Sequence, residues 1–253
     1  MVDGLINTNI KMTIKKDLHQ GKRCFIVGTG TSLNDIDMSL LDNETTIGVN
    51  LILLKKDFTP DYLVVADTTV VRKHYNIIFN DKMNKGYYVL GNGCTMTGKG
   101  NCNSGPGSTC APLELDLKSY PNIYQLTHKE KSGIFIDHID DERENLLKTD
   151  QYYIDPNFKH FTSYGASTID NLAIPLAVYL GFKEIYLIGC DGKWSHFYND
   201  TAKAGRREWI NYRHVLPILN KLDVKLYNSD HTNQFSELEH IELNKLIKKT
   251  DEY

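Results

Sequence analysis

Residues 23–33 read RCFIVGTGTSL, and this stretch decides the fold that we predict. Cys24 to Val27 form a short, continuous apolar run, which is typical of a β-strand buried on both faces. A glycine turn ends this strand, and Ser32 can then cap a helix whose third residue after the cap is Asp35. A strand, a tight glycine turn and a helix start together favour a nucleotide-phosphate site, because glycines admit the ligand and a helix N-terminus offers unpaired N–H groups.

The turn is only part of the dinucleotide fingerprint G-x-G-x-x-G, since Leu33 stands where the third glycine would fall. A plain strand-to-helix turn often carries two glycines as well, so the turn alone does not decide whether a ligand binds. The residues of the turn that we assign to phosphate binding are Gly28, Thr29, Gly30, Thr31 and Ser32.

The composition of the chain is ordinary for a soluble globular protein. Its 253 residues, 41% hydrophobic and 24% charged, fit one large domain or two small ones. A net charge of −3 gives no basic field, so nucleic acid is not predicted as a partner. No apolar run approaches the ~20 residues of a membrane span, and the first 16 residues lack the apolar core of a signal peptide. Two of the five cysteines, Cys24 and Cys190, fall in apparent buried strands, which favours a reduced, cytoplasmic location.

Strands and helices alternate along the chain, which predicts a Rossmann-like α/β fold with a mostly parallel sheet and helices on both faces. We predict strands at 24–27, 45–50, 61–67, 86–90, 123–127, 133–137, 184–189 and 224–227, and helices at 68–80, 167–180, 202–221 and, capped by 236–239, up to 248. The predicted organisation is an N-terminal arm over 1–20 and a single domain over 21–253.

A Gly-, Asn-, Ser- and Cys-rich stretch at 91–110 interrupts the domain and is predicted to be a flexible inserted loop, with a lid over the site as one function. Its cysteines, Cys94, Cys102 and Cys110, are spaced by eight, which is not a zinc spacing. The sequence does not identify a metal site.

Polar residues end several of the predicted strands. Asn50 ends the second strand, Asp67 ends the third and Asp191 follows the strand at 184–189. Because ligands of open parallel sheets bind beyond the carboxyl ends of the strands, these side chains are candidates for nucleotide contacts. Asn50 suits a base or ribose, and Asp191 suits ribose hydroxyls.

A second phosphate-binding helix start is predicted in the other half of the chain. Ser167 and Asp170 have the spacing of a capping box, and the helix that they open contains Pro175, where we expect a kink. Ser163, Gly165 and Ser167 precede this helix and are candidates for phosphate contacts.

The segments FIVGTGTSL at 25–33, DYLVVAD at 61–67 and LAVYLGFKEIYLIGCDGKWSHFY at 176–198 resemble the MptE-like family of 6-hydroxymethylpterin diphosphokinases, whose members share a Rossmann-like fold. The glycine turn, Val49-Asn50, Thr162-Ser163 and LGFKEIYLIGCD are also similar to bacterial sialyltransferases of glycosyltransferase family 42. The resemblance covers roughly residues 22–70 and 160–230, and it implies nucleotide binding without settling the reaction.

Two departures from the sialyltransferase pattern concern the site. Those enzymes have G-N-G-P-S where this chain has residues 28–32, and Thr29 replaces only part of what their phosphate-contacting asparagine does. The end of their third strand contains asparagine, whereas this chain has Asp67 there, which is closer to the MptE-like pattern. Their catalytic histidine lies well after the strand end, whereas His196 follows Asp191 by five positions, so the two histidines correspond only by region.

His196 and Tyr198 are the candidate catalytic residues. An imidazole titrates near neutral pH, which suits a general base, and the tyrosine can donate to a departing phosphate. We therefore favour a glycosyltransferase that uses a nucleotide-activated sugar, possibly CMP-linked nonulosonic acid, to build surface glycans. His214 and His231 are weaker rivals of His196.

Two other functions stay open. An ATP-dependent pyrophosphokinase acting on a pterin alcohol needs converging carboxylates for magnesium, and Asp67 with Asp191 is the candidate pair. The third function is non-catalytic binding of a nucleotide or sugar. The sequence leaves magnesium dependence, the acceptor, peripheral membrane contact and the oligomeric state undecided.

Overall fold

Eight parallel strands form one sheet in the computed structural model, within the residues that it describes. These residues are 14–66, 68–80, 83, 86–91, 123–126, 152, 154–155, 158, 167–193, 195–199, 212–230 and 235–248. The strands are β1 (Arg23–Val27), β2 (Thr46–Val49), β3 (Tyr62–Val65), β4 (Tyr87–Gly91), β5 (Ile123–Leu126), β6 (Glu184–Ile188), β7 (Lys225–Asn228) and β8 (Glu239–His240). Their order is β5-β4-β3-β2-β1-β6-β7-β8, and every neighbouring pair is parallel.

The central strands are continuously apolar because both of their faces are buried. In β1, Cys24 and Ile26 point into one core while Phe25 and Val27 point into the other. Strand β6 pairs with β1 from Arg23 to Val27 and alternates between the two cores in the same way. The period of two along a strand therefore divides one apolar run between two separate layers.

Helices cover both faces of the sheet. One face carries a π-helical turn (Ile169–Ala173) that continues into α3 (Ile174–Tyr179), together with α4 (Leu216–Lys221). The other face carries α1 (Thr68–Lys73), α2 (Tyr75–Ile78), α5 (Leu243–Lys248) and the 3-10 turns Thr31–Asp35, Met38–Leu41 and Ile52–Leu54. The predicted Rossmann-like α/β class is confirmed.

Several predicted helix boundaries are wrong. The helix predicted over 68–80 is broken at His74, which leaves the helical region with φ −125 and ψ 28. Glu239, predicted to belong to a helix cap, lies in β8 instead, because it pairs with Tyr227 while His240 contacts the backbone oxygen of Asp230 at 2.6 Å. The last helix consequently starts at Leu243. Of the helix predicted over 202–221, the described part is helical from Leu216.

The described end of the predicted N-terminal arm packs beside the C-terminal end of α3. Backbone N–H groups of Asp17, His19 and Gly21 donate to carbonyls of residues 179–181. The His19 ring stacks on Phe182 with a centroid separation of 4.8 Å. Residues 92–110 of the predicted insertion and the predicted strand at 133–137 lie outside the described residues.

The strand order creates a switch point between β1 and β6. The chain proceeds from β1 through β2, β3 and β4 to β5 on one side, and returns to β6 on the other side of β1. In open parallel sheets this reversal leaves a crevice beyond the carboxyl ends of the two strands, where ligands bind. The glycine turn follows β1, and the segment of Asp191 and His196 follows β6, so both border this crevice.

Candidate functional site

The glycine turn packs directly against the backbone that follows β6. Gly28 N donates to Ile188 O and Gly30 N donates to Gly189 O, both at 2.7 Å. A Cβ atom at Gly28 would collide with the Gly189 carbonyl, and one at Gly30 would collide with the Asp191 carboxylate. The two glycines are therefore required by contact between neighbouring chain segments, whether or not a ligand also approaches them.

The Asp191 carboxylate is hydrogen-bonded to two residues of this turn. Its Oδ2 accepts hydrogen bonds from Ser32 N at 3.0 Å and from Thr31 Oγ1 at 3.1 Å, and its Oδ1 accepts from Ser32 Oγ. The residue is only 2% exposed. The carboxylate that we predicted to bind ribose hydroxyls is thus committed to donors of the turn in this structure, and a ribose contact of Asp191 stays a prediction.

Asp230, which sequence reasoning missed, supports the same turn from the end of β7. Its carboxyl group accepts hydrogen bonds from Gly189 N and, at 3.1 Å, from Cys190 N. Its Oδ1 also lies 3.1 Å from Ser32 Oγ. Burial, reinforced by the nearby Asp191 charge, raises the pKa of Asp230 to about 7. Its position just after a strand end was the available signal, the same signal that indicated Asn50 and Asp191.

The Ser32 hydroxyl lies between two carboxyl groups, Asp191 Oδ1 and Asp230 Oδ1. A serine hydroxyl carries one proton and can donate only one hydrogen bond. Both contacts are hydrogen bonds when Ser32 donates to Asp191 and a protonated Asp230 donates to Ser32. The raised pKa of Asp230 agrees with this arrangement.

The predicted helix cap at Ser32 is wrong. Thr31–Asp35 forms a single 3-10 turn, its N-cap is Gly30, and no side chain caps it. Ser32 instead bonds to the two carboxyl groups described above. A turn of this length has no helix dipole to offer a phosphate, so any anion at residues 28–32 would meet backbone N–H groups and hydroxyls alone.

The segment around His196 lies on the glycine turn. His196 Nδ1 is 2.9 Å from Thr29 Oγ1, and Phe197 N donates to Thr29 O at 3.0 Å. His196 and Asn199 exchange backbone hydrogen bonds, which close residues 196–199 into a tight turn. The fold therefore brings a candidate base against a candidate phosphate-binding turn that precedes it by 167 positions.

Tyr198 covers the His196 ring. The two rings are parallel, with an interplanar angle of 2° and a centroid separation of 5.1 Å, and the Phe197 ring meets Tyr198 edge-on. Tyr198 remains 36% exposed, so part of its surface faces solvent. Burial of the rest raises the pKa of its phenol, which keeps the hydroxyl protonated and able to donate near neutral pH.

Asn50 follows β2, and its side chain contacts Thr168 at the start of the π-helical turn that precedes α3. It adopts a left-handed backbone conformation with φ 53, which asparagine tolerates better than most residues. Its Oδ1 accepts a hydrogen bond from Thr168 Oγ1 at 3.2 Å. This contact joins two of the predicted ligand-binding segments at the carboxyl edge of the sheet.

The predicted hydrogen bonds between Ser167 and Asp170 are present, although the N-cap of the helical turn is Thr168 and not Ser167. Ser167 N donates to Asp170 Oδ1 at 2.8 Å, and Asp170 N lies 3.5 Å from Ser167 Oγ in the reciprocal contact. The other oxygen of Asp170, Oδ2, lies 3.4 Å from Nε2 of the half-buried His214. His214, a weaker candidate for the base, thus lies against a carboxylate at a helix start.

Pro175 changes the start of this helix without ending it. Proline has no N–H to donate to a carbonyl of the preceding turn, and the five residues before α3 are wound as a π-helical turn. The hydroxyl of the buried Tyr152 donates to the carbonyl of Asp170, which lies in that turn. A tyrosine distant in sequence thereby satisfies a backbone group that the helix leaves open.

Three predicted site residues, Asp67, Ser163 and Gly165, lie outside the described residues, as do His231 and the cysteines at 94, 102 and 110. The described residues contain no group of three or more His, Cys, Asp or Glu side chains arranged to hold a metal ion. Within that same part of the chain, no helix has the length and apolar character needed to cross a membrane.

Comparison with known proteins gives little information on this chain. No family model matches it, and no curated protein matches it. Among solved structures, it is similar to the MAf glycosyltransferase from Magnetospirillum magneticum AMB-1, with a TM-score of 0.48 and 14% identity over 94% of this chain. This chain spans 38% of the length of that one, and a likeness of this size does not bear on the activity. Membership of the MptE-like or sialyltransferase families stays a prediction.

Proposed function

We propose that the protein is a glycosyltransferase that takes a nucleotide-activated sugar as donor. The donor that we favour is a CMP-linked nonulosonic acid, and the acceptor is a hydroxyl group of a surface glycan under construction on the cytoplasmic side. The supporting observation is the contact between His196 and Thr29 at the β1–β6 switch point. This contact brings a titratable side chain against the turn where the fold favours ligand binding.

In this mechanism the turn at 28–32 holds the donor phosphate, and Asn50 hydrogen-bonds the nucleoside. His196 takes the proton of the acceptor hydroxyl as its oxygen bonds to the anomeric carbon of the sugar. The bond from that carbon to the phosphate oxygen breaks, and its electron pair leaves with the nucleotide. Tyr198, held protonated beside His196, donates a hydrogen bond to the departing phosphate.

The geometry of Asp191 disfavours the pyrophosphokinase alternative. That reaction would use Asp191 and Asp67 as magnesium ligands. Asp191 is buried, and both of its oxygens accept hydrogen bonds from Thr31 and Ser32. Metal binding by this carboxylate would therefore require the turn to release it.

The first experiment is a thermal-shift series with CMP, CDP, UDP, GDP and ATP, each with and without magnesium. A ligand that binds only the folded state raises the melting temperature by mass action. We expect CMP or CDP to stabilise the protein without magnesium. Stabilisation by ATP alone, and only with magnesium, would overturn the proposal in favour of pyrophosphoryl transfer.

The second experiment tests the proposed base. Replacing His196→Ala should lower turnover of a CMP-sugar donor by ~100-fold or more, because general-base catalysis is lost, while the affinity for CMP changes little. His74→Ala, at the junction of α1 and α2, serves as the matched control. Wild-type turnover in His196→Ala would remove this residue from the mechanism, and CMP binding without turnover in wild type would favour a binding protein.

A further inference from the structure

Two buried carboxyl groups pack against the turn that we assign to phosphate binding. Asp191 is 2% exposed and Asp230 is 1% exposed. A Cβ atom at Gly30 would collide with the Asp191 carboxylate, so this carboxylate lies directly against the backbone of the turn. Asp230 Oδ1 lies 3.1 Å from Ser32 Oγ of the same turn. A phosphate bound at the turn would therefore have both carboxyl groups close to it.

The N–H groups that the turn can offer to an anion point away from these carboxyl groups. The N–H groups of Gly28, Gly30 and Ser32 donate to acceptors at the end of β6 and in the segment that follows it. Those of Thr29 and Thr31 donate to no acceptor among the described residues. Because Gly30 is extended, with φ −67 and ψ 162, successive N–H groups point to opposite sides. Only the backbone of the turn would therefore separate a bound anion from the buried carboxyl groups.

The two carboxyl groups and the hydroxyl between them have a place for one additional proton. Asp191 Oδ1 and Asp230 Oδ1 both contact the Ser32 hydroxyl, which has a single proton. An ionised carboxylate can only accept, so both contacts are hydrogen bonds only when one of the carboxyl groups is protonated. This count holds whichever of the three oxygens carries each proton.

Asp230 is the carboxyl group that takes this proton. Asp191 accepts from Ser32 N and Thr31 Oγ1 in addition to the Ser32 hydroxyl, and hydrogen bonds of this kind stabilise the ionised form. Asp230 accepts from two backbone N–H groups, but burial and the nearby Asp191 charge raise its pKa to about 7. Asp230 is thus close to half-protonated at neutral pH, where a further negative charge nearby decides its state.

Other titratable groups also face Asp230 or the turn. Apart from Asp191, those that face Asp230 within the described residues are Cys190, Tyr212 and His240. Burial raises the pKa of the Cys190 thiol and of the Tyr212 phenol, so both stay neutral near pH 7. His240 Nε2 lies 2.6 Å from the backbone oxygen of Asp230, and not at its carboxyl group.

Two basic side chains approach the turn itself. His196 Nδ1 lies 2.9 Å from Thr29 Oγ1, and Lys55 Nζ donates to Leu33 O at 3.0 Å, just after the turn. Lys55 brings a positive charge that favours an anion. An imidazole beside a bound phosphate gains a proton more readily, so a test of Asp230 must separate its proton from one on His196.

We propose that binding of the donor phosphate at the turn is coupled to the uptake of a proton from solvent by Asp230, which makes this residue a determinant of the affinity for anionic ligands. The inference rests on the proposed function and adds a regulation of its donor site. A phosphate and an ionised carboxylate on opposite sides of one backbone segment repel each other, and a proton on Asp230 removes that repulsion. By linkage, the affinity is complete where Asp230 is already protonated and falls as the pH rises and Asp230 ionises.

Isothermal titration calorimetry of the full-length protein measures the proton uptake directly. The probe is the methyl ester of CMP, because its phosphodiester carries one fixed negative charge and, unlike CMP, does not itself titrate near neutral pH. The methyl ester of another nucleotide replaces it if the thermal-shift series selects that nucleotide. Titrations at pH 7.5 in buffers of different ionisation enthalpy should give an uptake of ~0.5 proton per ligand, the value expected when the bound phosphate makes the proton on Asp230 ~10-fold harder to remove. The affinity should fall by ~10-fold between pH 6 and pH 9 for the same reason.

Three variants assign the proton to one residue. Asp230→Asn cannot ionise, so its proton uptake should vanish and its affinity should vary little with pH. His196→Gln removes the titratable group on the other side of the turn and should keep the uptake. Asp42→Asn, on an exposed turn, should behave as wild type. If Asp230→Asn does not fold, infrared difference spectra of wild type labelled with ¹³C-aspartate show whether ligand binding converts a carboxylate into a carboxylic acid.

The outcomes distinguish this inference from the function on which it rests. If the ligand binds and wild type takes up no proton, or if Asp230→Asn takes up as much as wild type, the inference is overturned and the proposed function stands. Loss of the uptake in His196→Gln would assign the proton to the imidazole and would also overturn the inference. If none of the five nucleotides binds, both are overturned. An uptake that is present in wild type and His196→Gln but absent in Asp230→Asn establishes the role of Asp230.

Discussion

Two segments of this chain carry the same Ser-x-x-Asp spacing at the start of a helical turn, yet they use it differently. At 167–170 the serine and the aspartate bond to each other, and a helix follows. At 32–35 the serine bonds to Asp191 and Asp230, which are 159 and 198 positions away, and a single 3-10 turn follows. A local motif is realised only where no stronger distant partner competes for its side chain.

The competing partners at Ser32 are stronger because they are buried carboxyl groups. Hydrogen bonds to ionised acceptors are roughly twice as strong as neutral ones, and low dielectric strengthens them further. Asp35 is exposed, so a hydrogen bond from Ser32 to its carboxylate would gain little stability over one from water. Asp170 is buried beside His214, and its Oδ1 accepts hydrogen bonds from the backbone N–H and the hydroxyl of Ser167.

The difference also separates two kinds of site. The segment at 167–170 pairs its own serine and aspartate at the helix start, and Tyr152 and His214 contact Asp170 in addition. The segment at 28–32 is held by groups from the ends of β6 and β7, so its shape depends on three strands. A turn held in this way is preorganised, which is what a ligand-binding or catalytic segment requires.

The largest effect should come from Asp191→Ala. It leaves Ser32 N and the hydroxyls of Thr31 and Ser32 without their acceptor, so we expect a loss of ~3–5 kcal/mol in the free energy of unfolding. Urea denaturation measures it. Asp42→Ala, on an exposed turn, is the matched control and should change stability by less than about 0.5 kcal/mol. Equal losses in the two variants would contradict the comparison.

The next effect is a pH dependence that originates at Asp230. Its pKa is about 7 in the folded protein against an ordinary value of 3.8, so the folded state binds more protons between these values. Stability contributed by this group is therefore complete below pH 4 and is lost as the pH rises through 7. Asp230→Asn cannot ionise, so its stability relative to wild type should improve by ~2 kcal/mol or more between pH 4.5 and 8.

Urea denaturation at a series of pH values measures this difference. Asp230→Asn should be less stable than wild type at pH 4.5, because an amide nitrogen cannot accept from Gly189 N or Cys190 N as a carboxyl oxygen does. Asp42→Asn, on an exposed turn, supplies the pH dependence of an ordinary aspartate. A constant difference between Asp230→Asn and wild type across the range would show that Asp230 ionises normally.

The smallest effect is the coupling energy inside each Ser-x-x-Asp segment. A double-mutant cycle of Ser167→Ala and Asp170→Ala should give ~1 kcal/mol, because each residue satisfies a backbone N–H of the other. The same cycle of Ser32→Ala and Asp35→Ala should give a value near zero. A coupling of ~1 kcal/mol at 32–35 would mean that the capping box forms there after all.

The sequence predicted the features that depend on neighbouring residues. Alternation of apolar runs with helical patterns indicated the α/β class, and the parallel sheet with helices on both faces confirms it. The hydrogen bonds between Ser167 and Asp170 were predictable because both residues lie within one turn of helix. The break at His74 and the strand at Glu239 were not predicted, because strand β8 depends on pairing with β7.

In the candidate site too, some features follow from neighbouring residues and others from contacts between distant parts of the chain. Residues 28–32, Asn50, Asp191 and His196 could be predicted as candidates because each follows a strand, and strands are recognised from the local sequence pattern. The contact of Thr29 with His196, the capture of Ser32 by two carboxyl groups and the raised pKa of Asp230 required the fold. These features depend on strands that are adjacent in the sheet and far apart in the chain, so only the tertiary structure could decide which partner each side chain takes.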